Sequence, residues 1–303
     1  GVIVMWLSRI IFTFNYKLHS RYSIALFGGI AFTALSYFIF MKGLGKSPYL
    51  PDNIREFIDV NIKSLLFGTF IVSTLVMEVL YLLRVNIFKF VVLMGTFALA
   101  MAFAGNDLVN FIGVPLAGLD TYKDFATNGN GVAASGFMMT SLMESASTTP
   151  IWLLSAGVIM IIAMATSKKA QNVIKTSVDL SRQDEGDEMF GSSRAARAIV
   201  RLSQTTNSSL SGLIPAQIVN WIDSRFKEKA QDAPTDVAFD VVRAAVNLVL
   251  ASMLITIGTN LKLPLSTTYV TFMVAMGSSL ADRAWGRESA VFRVTGVLSV
   301  IGG

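Results

Sequence analysis

The chain has 303 residues, 53% of them hydrophobic, with 21 phenylalanines, 14 methionines and only 15% charged residues. That balance excludes an ordinary water-soluble domain and points to an integral membrane protein. Zero cysteines exclude disulfides and thiolate metal sites, and one histidine, His19, leaves no His-based zinc site or catalytic triad. The formal charge of +5 suits loops facing anionic lipid, and no basic stripe interleaved with aromatics invites nucleic acid.

The chain opens at Gly1 without a methionine, inside an apolar stretch running to Phe14. It stops at Gly303 within an apolar stretch, begun near Ala290, that is too short to span. No signal peptide is legible, so these residues are expected to be part of a larger polypeptide. Arg9 to Arg21 closes the first helix with a basic turn holding Lys17, His19 and Arg21. Residues 22–41 are apolar and long enough to cross a bilayer, and Gly28-Gly29 allows a close helix neighbour.

Residues 43–63 form a polar connection with Pro48, Pro51, Asp52, Glu56 and Asp59, where a short interfacial helix is expected. Residues 64–83 cross back and end at Arg84, and Glu78 is expected to pair locally with Arg84 or to touch the interface. Residues 87–104 cross again with one charge, Lys89, and the apolar run resumes at Phe111.

Between them, Asn106, Asp107 and Asn110 place a carboxylate and two carboxamides at membrane depth, where polar groups are costly and mark ion or substrate passage. Spacings of three and four would bring them to one face of a helix. Pro115 lacks an N–H and crowds the carbonyl of Phe111, so a kink or unwinding is expected there. Two readings fit. Asp and Asn oxygens beside freed carbonyls make an oxygen-rich site suited to Na⁺, and the same groups make an intramembrane hydrogen-bond network joining two helices.

Residues 120–147 are acidic, with Asp120, Asp124 and Glu144 against Lys123. Residues 150–166 cross and end at Lys168, Lys169 and Lys175, which puts the acidic segment outside and the basic turns in the cytoplasm. Residues 167–236 mix charges, with Asp184, Glu185, Asp187 and Glu188 followed by Arg194, Arg197 and Arg201. Amphipathic spacing over 195–213 and 218–226 predicts helices on the cytoplasmic face of what is otherwise a solvated connector.

Residues 237–259 cross next, with Asp240, Arg243 and Asn247 on one face, a structural pair rather than a proton relay. Pro264 is then suited to open a helix whose first turn holds Ser266, Thr267 and Thr268. Hydroxyls beside unpaired N–H groups make an anion site, and the helix could re-enter the membrane or be an ordinary capped helix after a tight turn. Ser147-Thr148-Thr149-Pro150 offers similar groups, but its proline follows them, so they read as a helix cap. The chain therefore divides into membrane helices with the Asn-Asp motif (1–166), a cytoplasmic loop (167–236), and membrane helices with the Ser-Thr-Thr motif (237–303).

Gly-Asn-Asp-x-x-Asn at 105–110 and Pro-x-Ser-Thr-Thr at 264–268, in this order around a cytoplasmic loop, resemble the motifs of the inorganic phosphate transporter (PiT) family. The resemblance implies that Asn106, Asp107 and Asn110 serve sodium and phosphate, and that Ser266, Thr267 and Thr268 contact phosphate, with Thr267 helping to complete the cation site. Three departures stand out: Ala-Gly precedes Asn-Asp where the family has Gly-Ala, Tyr269 replaces the usual histidine, and each motif occurs once where the family carries two inverted repeats.

The expected fold is all-α, a polytopic membrane bundle with broken and re-entrant helices that forms one half of an inverted-repeat transporter, the C-terminal repeat. The expected function is symport of inorganic phosphate with sodium as coupling ion, without other cofactors, by a non-enzyme in the plasma membrane, bacterial inner membrane included. The resemblance also implies a homodimer and a partner N-terminal repeat from the same polypeptide. Alternatives are coupling to protons, transport of a metal-phosphate complex or another oxyanion such as sulfate, and a membrane phosphate sensor or scaffold.

Overall fold

A computed structural model describes residues 1–13, 21–43, 50–129, 131–140, 149–169, 171, 191–211, 215–226, 240–263, 265–281 and 287–302. All regular structure among them is helical. Four helices are long and apolar enough to cross a membrane: Arg21–Phe40, Asp52–Leu82, Ile87–Asn128 and Val241–Asn260. This is the architecture of a membrane protein. The chain forms two compact units, one of Gly1–Ala102 with Ser177–Gly303 and one of Phe103–Thr176.

The first unit is built around a helical hairpin. Helix α1 covers Val2–Phe12, α2 covers Arg21–Ser36 and continues as a π-helical turn at Tyr37–Gly43, and α3 covers Asp52–Leu82. The short interfacial helix expected within 43–63 is instead the start of α3. Pro51 sets the helix start and Asp52 complements its positive end, and no proline or glycine interrupts the chain before Gly68. At about 46 Å, α3 is longer than a hydrocarbon layer of about 30 Å. Only Ser73 and Met77 of α3 are buried, while Phe67, Val72, Leu75 and Val79 stay exposed. An apolar surface of that kind is suited to lipid rather than water.

Helices α2 and α3 run antiparallel at contact distance because α2 presents Gly28-Gly29. A Cβ on Gly29 would lie 2.9 Å from Thr74 Cα, and one on Gly28 would lie 2.9 Å from Met77 Cγ. Thr33 Oγ1 and Ser73 Oγ hydrogen-bond across the seam at 2.9 Å, and both also reach the Gly29 carbonyl. At the other end Glu78 pairs with Arg21 of α2 at 3.1 Å, not with Arg84. Antiparallel pairing delivers Arg21 to that level, whereas Arg84 follows the end of α3 with a left-handed backbone, φ 62°. Replacing Gly29 with valine is expected to destabilise the chain by about 1–3 kcal/mol through overpacking, read as a lower unfolding temperature in detergent. An unchanged temperature would show that the seam can open at no cost.

Helix α4 covers Ile87–Phe103. Its first turns meet α1 and α2 in an aromatic core where Phe12 packs edge-on against Phe27 and Phe88 and the three ring centroids lie 5.2–5.3 Å apart. Helix α9, Val241–Asn260, closes this core with Val242, Ala245 and Val246. Gly95 lets α9 approach, since a Cβ there would lie 2.8 Å from Leu248 Cβ. Helix α10, Thr267–Ala281, packs on α9 and α1.

The two amphipathic helices expected in the loop are present as α7, Arg194–Ser211, and α8, Ala216–Arg225. The first is not merely a solvated connector. Ala196 and Val200 pack against Val294 of α11, Arg287–Gly302, and Ser193 exchanges hydrogen bonds with Thr295.

The second unit holds a π-helical segment at Ala104–Gly113, α5 at Val114–Asn128 and α6 at Pro150–Thr166. No residue of α6 is buried. Its 17 residues lie at the short end of the range for crossing a bilayer.

Candidate functional site

The Asn-Asp motif lies in the π-helical segment, inside a stretch that stays helical from Ile87 to Asn128. The chain does not unwind at Pro115. The helix widens upstream instead, and Pro115 falls in the first turn of α5. A π-turn, closed by i→i+5 bonds, redistributes the bonding that a missing N–H disturbs, and such turns recur at functional sites.

The wider turn changes which side chains meet. Residues four apart stay nearly in line, whereas residues three apart are turned away from one another. Asn106 is 5% exposed and donates from Nδ2 to Asp107 Oδ1 at 3.1 Å. Asp107 is half-buried and Asn110 is exposed. The structure thus brings Asn106 and Asp107 together and gives Asn110 a different environment from Asn106. A carboxylate offers about four lone-pair sites, and the Asn106 amide takes one of them. Among the described residues no group of three or more His, Asp or Glu side chains comes together. A cation held here would combine one carboxylate with amide and carbonyl oxygens, a hard set suited to an alkali ion.

In the first unit, the helix with the Ser-Thr-Thr motif begins later than expected. It starts at Thr267, and Pro264 lies outside the described residues. Ser266 precedes the helix as its cap: its Oγ accepts from the Tyr269 N–H at 3.3 Å, and its carbonyl accepts from Val270 N at 3.1 Å. A serine that can bond back to the third helical N–H competes well for the cap position. Ser266 and Thr268 are exposed while Thr267 is 5% exposed, so the three hydroxyls do not share one environment. An Oγ that accepts one bond still carries its own O–H donor. Ser266 can therefore cap the helix and donate to an anion at once.

Thr149 occupies the cap position of α6 with Pro150 in the first turn, as read from the sequence, but its hydroxyl makes no capping bond. Ser147 and Thr148 lie outside the described residues.

The buried charged cluster is larger than the Asp240–Arg243 spacing predicts. Arg9 of α1, 1% exposed, donates from Nη2 to Asp240 Oδ2 at 2.5 Å and from Nη1 to the Thr13 carbonyl at 2.7 Å. Asp240 caps α9 by accepting from Val242 N and Arg243 N at 3.0 and 3.1 Å. Arg243, fully buried, stands 4.0 Å from the same carboxylate. The anticipated Asp240–Arg243 pairing is thus the weaker half of a three-residue arrangement. The available signal was Arg9 itself, a cation inside an otherwise apolar helix. One turn further along α9, Asn247 is buried, and neither amide atom has a hydrogen-bond partner among the described residues.

Comparison with known proteins supplies no relative. No protein-family model, curated protein or solved structure matches the chain.

Proposed function

We propose that this chain is a membrane transporter that moves inorganic phosphate with a cation, sodium before protons, and that it belongs with the inorganic phosphate transporters its motifs resemble. The observation that carries the reading is the Asn106–Asp107 pair, a carboxylate held by a buried amide inside a π-helical turn of an apolar helix. Such a group is costly at membrane depth, which makes it a candidate for ion or substrate passage. The Ser266-capped start of α10 supports the anion half, since a helix N-terminus with hydroxyls beside it favours an oxyanion. In this reading Asp107 neutralises the coupling ion with help from Asn106 and Asn110, and Ser266, Thr267 and Thr268 donate to phosphate, the roles that the resemblance gives each motif. Each motif occurs once in the sequence, so a two-repeat pathway calls for a second Asn-Asp and a second Ser-Thr-Thr motif.

The test is radiolabelled phosphate uptake into vesicles with and without a sodium gradient, by polypeptide containing both copies of each motif. Sodium-driven accumulation supports the reading, and accumulation driven only by a proton gradient moves it to the proton-coupled form. No uptake under either gradient, from protein that is inserted and binds phosphate, would favour a sensor.

Substitution separates the two hydroxyl clusters. Thr267→Val is expected to weaken phosphate uptake roughly 10- to 150-fold, the equivalent of about 1.5–3 kcal/mol for a lost bond to a charged group. Ser266→Ala should weaken uptake and also cost about 1 kcal/mol of helix cap. Thr149→Ala should leave uptake and stability unchanged, because its hydroxyl caps nothing. Equal transport defects at Thr149 and Thr267 would remove the Ser-Thr-Thr site from the reading.

A further inference from the structure

Asn247 stands about 10 Å along α9 from its Asp240 cap. It is 8% exposed, and among the described residues neither Oδ1 nor Nδ2 has a hydrogen-bond partner. A primary amide carries two N–H donors and an oxygen with two lone pairs, so none of that capacity is used within the fold. Leucine has a similar size, a better helix propensity and no polar atom to desolvate. A buried amide at such a position calls for a group that satisfies it.

The neighbours on α9 restrict what that group can be. On the same face, Arg243 lies four residues before Asn247, Ala251 four after and Ala244 three before. Arg243 and Ala251 are fully buried, and Ala244 is 3% exposed. Both alanines end at Cβ, so the amide projects beyond them. A cation on Oδ1 would sit one helical turn from the buried guanidinium of Arg243 and be repelled by it. An anion would accept from Nδ2 and leave Oδ1 unpaired. Water both donates and accepts, and one molecule can bridge the N–H and C=O of a single amide. Enclosed waters in proteins serve buried polar groups of this kind.

We infer that α9 carries an internal water site at Asn247, with the water donating to Oδ1 and accepting from Nδ2, one turn beyond the Asp240–Arg243 pair. The site takes a neutral molecule and is independent of what the protein transports.

The test is side-chain amide NMR of the full chain in detergent, labelled with 15N-asparagine. The Asn247 resonance is assigned by its loss in Asn247→Leu, or in Asn247→Ser if the leucine variant does not fold. A cross-peak between the Nδ2 protons and water, with the sign of a bound molecule, is expected. A soluble gadolinium chelate should broaden the exposed Asn53 and Asn220 and leave Asn247 and its cross-peak unchanged. An Asn247 amide with no water cross-peak would overturn the inference. Gadolinium broadening at Asn247 would make the position open to bulk solvent and also overturn it. A cross-peak to the hydroxyl or amide protons of another side chain, in place of water, would give Asn247 a protein partner and do the same.

Discussion

Asp107→Asn is expected to abolish sodium-coupled phosphate uptake while the protein still inserts and folds. The substitution preserves shape, and its amide oxygen can still accept from Asn106 Nδ2 where Asp107 Oδ1 now does at 3.1 Å. What it removes is the charge. A unit charge about 4 Å from another is worth roughly 4 kcal/mol at an effective dielectric constant near 20. That corresponds to about three orders of magnitude in cation affinity, so at ordinary sodium concentrations the coupling site would stay empty. Uptake would be measured across a range of sodium concentrations, with insertion checked separately by membrane extraction. Wild-type uptake with ordinary sodium dependence would sink the assignment. Asn110→Ala tests the role that the resemblance gives Asn110. Its exposed position predicts a smaller loss than Asn106→Ala, whose buried amide holds the carboxylate.

Much of the helix framework was legible because apolar length is a strong signal. Residues 22–41, 64–83, 87–104 and 237–259 each fall largely within a helix long enough to span. The Gly28-Gly29 contact was legible for a similar reason, since adjacent small residues in a spanning helix have few uses besides close packing. Local backbone detail was less legible. Proline at 115 announced a disturbance, but a chain can answer a missing N–H with a break or with a wider turn, and the answer here involves ten residues upstream. At 264–268 the proline preference for a first turn competed with serine's preference for the cap, and the serine two residues later defines the described helix start. Glu78 lies six residues before Arg84, and only the antiparallel return of α2 brings Arg21 to it. Arg9 and Asp240 are 231 positions apart, so no local pattern could pair them.

That long-range pair carries the largest expected effect on stability. Removing one partner from a buried ion pair typically costs about 3–5 kcal/mol, because the remaining charge is stranded away from water. The three groups here should not be equivalent. Arg9→Met leaves Asp240 with Arg243 at 4.0 Å and with two backbone N–H donors, so the carboxylate is still partly compensated. Asp240→Asn keeps an oxygen for the helix cap but leaves two buried guanidinium groups facing one another without their shared anion. Asp240→Ala loses both the charge and the cap, a further cost of about 1 kcal/mol. The expected order of destabilisation is therefore Asp240→Ala, then Asp240→Asn, then Arg9→Met, measured by thermal unfolding of the purified protein in detergent. Arg9→Met combined with Asp240→Asn should cost less than the sum of the two, by about 0.5–3 kcal/mol for groups in direct contact. Strict additivity would show that the contact contributes nothing. A structural role also predicts what should not change: whatever uptake the Arg9→Met protein retains should show the same sodium and pH dependence as the unsubstituted protein. A displaced pH profile would instead make the cluster part of the transport cycle, with Asp240 as its proton-carrying group.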